Sequence, residues 1–523
     1  ALHPATPTTS LKRVTYVLSR LSRLSKDAVV YGLGGAIVRF TGLVLLPVYT
    51  RVFQDTESYG VWQIVSILGA LLVSVAALGL DGATFILYFA SDSPDERKRI
   101  TTLWMSMSLL VAVPLTVVLI LLSGPISSLA TGSERYADLF ALGIALLPFN
   151  ILQLVVSGIL RLHFRPRAYA VLNVGLTVLV LSTSIYLVVG LHMEVMGALL
   201  GTLLGTSVTA IAGLWTVRSA VDWRQLTREA WPLAAKMLKL GAPLVPAAAA
   251  LWVIGFSNAF FVARLLSTGD TGIFRAGAQI AAMLGIAVYA FQFAWSPFSL
   301  SIAREPDAGR VYSRVGLLYT AGSIGAAVLL GGAAPIMLLL ARGDYAPAAS
   351  VIGLLALSMA SVGSYYIFAI GVNIAQRTGQ VGWTNMVAAF ANLALNAALI
   401  PLWGIIGAGI ASLAANLLSL VLLYVVSQRI YPIPFEGLKM AGVWLVGTAA
   451  VALAALFNIS VQPSPLLSVG FTLLLMLGYI VALFLMGAVT PHQLSLGLAG
   501  VKSALRRRLV APVSERTAGE GRR

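Results

Sequence analysis

The sequence predicts an all-α, polytopic membrane protein of about 14 transmembrane helices. The expected arrangement is two six-helix lobes in parallel repeat around a central cavity, followed by two C-terminal helices. Three observations lead to this fold class. Of the 523 residues, 59% are hydrophobic and 10% are charged, with a mean hydropathy of +0.90, whereas a soluble domain carries about 25% charged residues. Apolar runs of bilayer-spanning length recur along the whole chain. A short motif after the first run also returns after the seventh.

The apolar runs set the order of the elements. We expect spans near 28–50, 61–89, 102–123, 137–160, 169–190, 195–217, 240–263, 273–300, 314–341, 346–374, 381–402, 405–427, 438–457 and 466–488. The predicted domains are a cytoplasmic tail with an amphipathic surface helix (1–27), an N-terminal lobe with spans one to six (28–217), a basic linker that forms a surface helix (218–239), a C-terminal lobe with spans seven to twelve (240–427), spans thirteen and fourteen (428–488) and a basic tail (489–523).

Loop charges predict the orientation. Five of the 35 Lys and Arg residues fall in the loops of one side, and Arg39 lies within a span. The other 29 fall on the side that holds both termini. Since basic residues are retained on the cytoplasmic side, we expect a cytoplasmic (inner) membrane protein with both termini in the cytoplasm. The five on the opposite side are Arg51, Arg135, Arg264, Arg275 and Arg342.

The composition also argues against several classes of function. The formal charge of +16 is explained by topology, so no nucleic-acid partner is expected. The chain has no cysteine, and His163 and His192 fall on opposite sides of the membrane, so no metal site is predicted. The sequence contains no glycine-rich loop followed by Lys, the pattern that would indicate ATP binding. No predicted extramembrane segment is large enough to hold a sugar-nucleotide site, which argues against a glycosyltransferase. We therefore expect a transporter without a cofactor rather than an enzyme.

The repeated motif predicts two related halves. "RVFQDTESYGVW" begins at Arg51 and "RLLSTGDTGIF" begins at Arg264, and Gly60-Val61-Trp62 aligns with Gly272-Ile273-Phe274. The offset is about 212 residues, close to six spans and the linker. An even number of intervening spans gives both copies the same membrane orientation. Parallel repeats of this kind build two-lobed transporters.

The stretches "GLVLLPVYTRVFQDTESYGVWQIV" and "AALGLDGATFILYF" resemble the polysaccharide-type flippases of the multidrug/oligosaccharidyl-lipid/polysaccharide exporter superfamily, also called oligosaccharide repeat-unit translocases. The resemblance is close over the first two spans. It implies that a polyprenyl-diphosphate-linked oligosaccharide is moved from the inner to the outer leaflet by alternating access. It also implies membrane lipids, a polysaccharide polymerase and other assembly proteins as partners.

A related family, the lipid II flippases, has a similar first span. Arg39, Gly42 and Arg51 match its pattern, but its mid-span Arg–Asp pair is replaced here by Leu45 and Leu46. This difference argues against lipid II as the substrate. Two other functions are considered: a cation-coupled small-molecule exporter of the same superfamily, and a membrane scaffold of a polysaccharide assembly complex.

The charged candidates lie in and beside the spans. Arg39 is about eleven residues from either end of its span, where a charge costs about 2.5–3.5 kcal/mol; it either snorkels or binds the substrate diphosphate in a wet cavity. Arg51, Arg264 and Arg275 either anchor helix ends or form an outer basic rim for the same diphosphate. Asp81 either pairs with Arg39 or carries a coupling ion. Arg135 and Arg342 are interpreted as solvated loop charges beside Glu134 and Asp344.

Uncharged polar residues gather in the C-terminal half. Asn385, Asn392 and Asn396 share one face of span eleven, and the same half contains Asn258, Gln279, Gln292, Asn373 and Asn416. They either hydrogen-bond between helices or form a cavity wall that contacts sugar hydroxyls. Trp252, which matches Arg39 by the repeat offset, and Trp295 either stack on sugar rings or pack in the core.

Overall fold

The computed structural model describes residues 41–227, 230–375, 377 and 379–489. This part of the chain is helical throughout, with short turns between the helices. The α-helices are α1 (Thr41–Val52), α2 (Thr56–Ala76), α3 (Leu80–Ala90), α4 (Pro94–Leu121), α5 (Ser123–Thr131), α6 (Ala137–Ala145), α7 (Leu147–Leu162), α8 (Pro166–Ile185), α9 (Glu194–Val217), α10 (Trp231–Gly241), α11 (Leu244–Leu265), α12 (Thr268–Ser301), α13 (Ala308–Gly332), α14 (Ala334–Met337), α15 (Ala349–Phe368), α16 (Ile370–Ile374), α17 (Gly379–Ile430), α18 (Gly437–Val461) and α19 (Pro465–Leu485).

The helices confirm the predicted polytopic fold. Within the described residues, 12 helical stretches are long and apolar enough to cross a membrane, and α1 is the described end of the first predicted span. The stretch α17 contributes two crossings, because the chain reverses at Gly404 (φ 57°, ψ −138°). A hydrogen bond of 2.8 Å from Ser419 Oγ to Asn385 Oδ1 joins residues 34 positions apart. In one continuous helix they would be about 51 Å apart.

The second predicted span is interrupted. Leu78 and Gly79 both have positive φ, 51° and 64°, and they separate α2 from α3. A Cβ at Gly79 would lie 2.2 Å from the carbonyl oxygen of Gly241 at the end of α10. Only glycine allows this close approach, which fixes α3 against α10.

The linker covers the end of the molecule that contains α3. Its helix α10 begins at Trp231 and buries Ala234, Met237 and Gly241. The second half of the linker is therefore helical in the structure, while residues 218–220 and 223–225 form 3₁₀ turns. Thr101 Oγ1 on α4 donates to the carbonyl of Ala220 at 2.5 Å.

The buried core is divided between the two lobes. One apolar cluster joins α3, α4, α7, α8, α9 and α10, and a second joins α12, α13, α15, α17, α18 and α19. The last two spans therefore pack with the C-terminal lobe, and Tyr479 of α19 donates to the carbonyl of Ala321 on α13 at 2.8 Å. A third cluster joins the lobes to each other and includes Tyr49, Tyr59 and Tyr345.

Candidate substrate pocket and inter-lobe seam

The two copies of the repeated motif meet face to face. Asp55 caps α2 by accepting from Ser58 N at 2.7 Å, and Ser267, 212 positions later, caps α12 by accepting from Asp270 N at 2.9 Å. The helices then approach so closely that only glycine fits. A Cβ at Gly60 would lie 1.9 Å from the carbonyl oxygen of Thr268. We call this α2–α12 contact, from Thr56 and Thr268 inward, the seam.

The contacts at the seam are related by the repeat. A Cβ at Gly272 would lie 2.1 Å from the carbonyl oxygen of Thr56, which mirrors the contact of Gly60 with Thr268. Each residue thus contacts the equivalent turn of the other copy. These reciprocal contacts relate α2 and α12 by an approximate two-fold axis at the seam, as expected of parallel repeats.

Glu57 joins the lobes at the end of the seam where α2 and α12 begin, which we call the seam end. Its Oε1 accepts hydrogen bonds from Tyr136 Oη at 2.6 Å and, across the seam, from Thr268 Oγ1 at 2.8 Å. Arg135 forms an ion pair with the same carboxylate. The pair is exposed, so its direct contribution to stability is at most about 1 kcal/mol. Its effect is to hold Glu57 in position for Thr268.

Three arginines at this end reach the opposite lobe. Arg51 Nη2 donates to the carbonyl of Leu339 at 2.8 Å. Arg342 Nη1 donates in the other direction, to the carbonyl of Gln54 at 2.7 Å. The guanidinium of Arg264 lies over Gly132, where a Cβ would be 2.8 Å from Nη1. Arg51 and Arg264 are exposed, and in this conformation both contribute to closing the seam end.

A cavity of about 600 Å³ lies inside the C-terminal lobe, farther along α12 than the seam end. Leu43 of α1 is the N-lobe residue in its wall, and a Cβ at Gly42 would lie 2.6 Å from Nε2 of Gln279. None of the described lining residues is an Asp or Glu. The polar lining residues come from α11, α12, α15 and α17: Asn258, Arg275, Gln279, Tyr289, Ser358, Tyr365, Tyr366, Asn385, Ser412, Asn416 and Ser419.

Arg275 is the cation in this wall. It lies seven residues into α12 and is partly buried, about 10 Å below the helix start. Its Nε donates to Gln63 Oε1 of the other lobe at 3.3 Å, and its guanidinium carbon lies 5.6 Å from the Phe256 ring centroid. Among the residues that the structure describes, no carboxylate forms an ion pair with it. An uncompensated guanidinium facing a cavity attracts an anion.

The predicted amide face of span eleven divides into two parts. Asn385 lines the cavity, as does Asn258 of α11, whose Nδ2 donates to Ser412 Oγ at 2.8 Å. The Oδ1 of Asn258 is buried without a partner. Asn392 and Asn396 lie behind the wall and are fully buried.

Hydrogen bonds tie the rear part of the face together. Asn392 Oδ1 accepts from Ser257 Oγ at 2.8 Å and from Asn396 Nδ2 at 2.9 Å. This network connects α11 with α17. Asn373 is exposed and is not among the lining residues.

The remaining sequence candidates lie elsewhere. Trp252 Nε1 donates to the carbonyl of Ile67 across the lobes at 3.3 Å. Trp295 is 4% exposed and packs against Phe291 with ring centroids 5.7 Å apart. Neither tryptophan is in the cavity wall. Asp81 is exposed in the first turn of α3. Arg39 lies outside the described residues.

Sequence reasoning missed the residues that act across the lobes. The sequence predicts solvated charges at Arg135 and Arg342. In the structure Arg135 pairs with Glu57 of its own lobe, and Glu57 in turn accepts from Thr268 of the other lobe. Arg342 bonds directly to Gln54 across the lobes, besides pairing with Asp344. Gln63 was not singled out. The repeat offset could have identified it, because Gln63 is the repeat equivalent of Arg275, 212 positions earlier.

Comparison with known proteins identifies the family. A family model described as "Polysaccharide biosynthesis protein" matches residues 24–303, more than half of the chain. The chain belongs to this family. The match covers the first two spans, both copies of the repeated motif and the whole of α12, so it includes both sides of the seam. No curated protein sequence matches the chain significantly.

Solved structures show the same fold. The chain resembles "Lipid II flippase MurJ, inward closed conformation" with a TM-score of 0.66 and 14% identity, over 86% of this chain and 98% of the other. An inward-facing multidrug resistance MATE family transporter of the MOP superfamily gives 0.55 and 16% identity, over 77% and 94%. The Vibrio cholerae MATE transporter VcmN in the bent form gives 0.53 and 14%, over 80% and 98%. The protein is a multi-pass membrane protein with this transporter fold, which confirms the resemblance seen in the first two spans.

Proposed function

We propose that this protein is a flippase that moves a polyprenyl-diphosphate-linked oligosaccharide from the inner to the outer leaflet by alternating access. It acts as a transporter and catalyses no covalent chemistry. In this proposal it resides in the cytoplasmic membrane with both termini in the cytoplasm, and it supplies cell-surface polysaccharide synthesis. Membership of the polysaccharide biosynthesis family supports the role in polysaccharide synthesis, and the two-lobed fold supports transport by alternating access.

The observation that carries the proposal is Arg275 in the wall of the C-lobe cavity. Transfer of a diphosphate through a low-dielectric region is strongly opposed unless its charge is compensated. A guanidinium compensates that charge and offers a planar fork of donors that matches phosphate oxygens. Arg275 has no carboxylate partner among the described residues, so its charge is available to a ligand.

The rest of the cavity suits the sugar. Amide and hydroxyl side chains form hydrogen bonds with sugar hydroxyls without adding charge. Asn258 offers a buried, unpartnered Oδ1, and Asn385 and Asn416 lie in the same wall. The prenyl chain can remain in the bilayer beside the lobes, so the cavity has to accommodate the head group alone.

The alternatives fit this wall less well. An exporter of cationic drugs needs a carboxylate in its cavity to compensate the drug's charge, and the described lining residues include none. A scaffold protein does not need an uncompensated Arg inside a 600 Å³ cavity. The polar wall and its positive charge favour an anionic, hydroxyl-rich substrate.

Complementation of a strain that lacks its oligosaccharide flippase tests the proposal. Arg275→Ala should reduce surface polysaccharide at least about ten-fold, because a charged hydrogen-bonding group is lost. Lipid-linked oligosaccharide should then accumulate in the inner leaflet. Arg275→Lys keeps the charge but loses the fork, so partial activity is expected.

The matched control is Arg310→Ala, an exposed arginine in the first turn of α13. It should complement fully, and immunoblots should show equal protein for all three variants. Full complementation by a normally expressed Arg275→Ala would remove the basis of the proposal.

A further inference from the structure

A chain of contacts connects the cavity to the seam. Arg275 in the cavity wall donates from Nε to Gln63 Oε1 at 3.3 Å. Gln63, 5% exposed, donates from Nε2 to Tyr59 Oη at 2.9 Å. The ring of Tyr59 meets that of Tyr345 edge to face, with centroids 5.8 Å apart. This series of contacts passes from the C-lobe to the N-lobe at Gln63 and returns to the C-lobe at Tyr345.

The last residue in this series of contacts, Tyr345, lies beside the residues that close the seam end. Tyr345 is fully buried and follows Arg342 by three residues. Arg342 donates to the carbonyls of Phe53 and Gln54 in the other lobe. The cavity arginine and the closed seam end are therefore joined by side chains that pack or hydrogen-bond in sequence.

We propose that Gln63 is a positioning residue that holds Arg275 against the N-lobe while the seam is closed, and that a diphosphate entering the cavity withdraws Arg275 and releases the seam. This inference rests on the proposed function, since it takes the diphosphate of the substrate as the ligand of Arg275. It adds a coupling step, in which the head group itself triggers opening of the seam end.

The relative strengths of the two contacts support this exchange. A neutral amide oxygen at 3.3 Å is a weak partner for a guanidinium. A phosphate group is itself charged and accepts two short bonds from the same fork, whereas the neutral amide oxygen of Gln63 accepts one long bond. A ligand shifts a conformational equilibrium only by its differential affinity for the two states. Here the difference arises because Arg275 cannot bind Gln63 and turn fully towards a phosphate at the same time.

The repeat explains why glutamine suits this position. Gln63 and Arg275 occupy equivalent places, 212 residues apart, and face each other near the approximate two-fold axis. Two arginines there would repel each other, and a carboxylate opposite Arg275 would bind it too firmly for exchange. Glutamine supplies an acceptor without a charge.

Distances between spin labels measure whether the seam end opens. The chain has no cysteine, so Asp138→Cys and Ala346→Cys provide two labelling sites without further changes. Both residues are exposed, near the seam end of the N-lobe and of the C-lobe respectively. Farnesyl diphosphate, a short polyprenyl diphosphate, serves as the probe, with farnesol and inorganic pyrophosphate as controls. With native Gln63, the probe should raise the population at long distance about five-fold or more, and farnesol should not.

Two substitutions of Gln63 should act in opposite directions. Gln63→Leu removes the acceptor, so the long-distance population should already be high without the probe. Gln63→Glu forms an ion pair with Arg275, so the population should be lower than in the native background and should respond weakly to the probe. If Gln63 served only to fill space, both variants would loosen the seam. Loosening by both, or a native probe response in Gln63→Glu, would overturn the inference.

Binding of labelled farnesyl diphosphate, measured separately by equilibrium dialysis, distinguishes the two proposals. Binding that Arg275→Ala abolishes, without any change in the distance distribution of the native-Gln63 protein, would refute the coupling and leave the proposed function intact. Absence of specific binding would refute both the diphosphate site and the coupling that rests on it.

Discussion

Gly60 of α2 and Gly272 of α12 pack reciprocally across the seam, each against a carbonyl oxygen of the other helix, so that an added Cβ would lie 1.9 Å and 2.1 Å from those oxygens. Backbone cannot move aside as a flexible side chain can. The glycines therefore let the two helices approach closely at the end that we expect to be external.

The first prediction concerns these glycines. Gly60→Ala or Gly272→Ala should force the helices apart, with an overpacking cost of about 1–3 kcal/mol in the closed conformation. Spin labels at positions 138 and 346 should show a larger long-distance population, and the melting temperature in detergent should fall. Gly69→Ala is the matched control in α2, because nothing lies within 4 Å of its Cβ position. An unchanged distance distribution in both seam variants would contradict the close approach.

The second prediction concerns the reversal at Gly404. Its backbone (φ 57°, ψ −138°) lies in a region that only glycine adopts readily. Gly404→Ala should destabilise the helical hairpin by about 1–3 kcal/mol and lower the melting temperature. Gly382→Ala, in the same helical stretch and with open space around it, should not. Equal melting curves for the two variants would show that the turn does not need this conformation.

The third prediction separates the two parts of the amide face. Asn392→Ala removes the acceptor of Ser257 and Asn396, two buried donors. Leaving buried groups unpaired costs about 1–3 kcal/mol each, so thermal stability should fall clearly. Asn373→Ala, at an exposed position, should melt like the native protein. A native melting temperature for Asn392→Ala would show that the network contributes little.

Hydropathy and the repeat were sufficient to predict the fold class. Long apolar runs have few alternatives in a membrane, since every backbone polar group must be satisfied internally. The interruption at Leu78–Gly79 was missed because both residues continue an apolar run. Gly79 packs closely against Gly241 of α10, a contact between residues far apart in the chain that the local sequence does not indicate.

The candidate site was predictable only in part. Arg275 and the amides stood out because polar groups are rare in apolar spans. The contact of Arg342 with Gln54 depends on how the lobes meet. The partner of Arg135 is Glu57 of the same lobe, 78 positions away, which the sequence neighbours of Arg135 did not indicate. Trp295 could not be assigned from the sequence, because the sequence of a span does not show whether an aromatic residue faces a cavity or packs in the core. In the structure Trp295 packs in the core.

The fourth prediction concerns orientation. Cysteines introduced at Lys98 and Lys236 should react with a membrane-impermeant maleimide only after permeabilisation, because the basic loops are expected in the cytoplasm. Cysteines at Glu134 and Gly343, exposed near the seam end, should react in intact cells. The chain's lack of cysteine keeps the background low. The reverse pattern would place the seam end in the cytoplasm.

The last prediction concerns Arg39, for which the sequence provides the argument. A charge at mid-span costs about 2.5–3.5 kcal/mol to insert, and its retention in such an apolar span is explained if it compensates the substrate diphosphate. Arg39→Ala should abolish export of lipid-linked oligosaccharide while the protein still inserts, and Arg39→Lys should retain part of the activity. Complementation with immunoblotting measures both, with Arg310→Ala as the matched control. Because a diphosphate offers oxygens to more than one guanidinium, the Arg39→Lys/Arg275→Lys double variant should lose more activity than the product of the single losses. Full complementation by Arg39→Ala would instead indicate a snorkelling side chain without a role in transport.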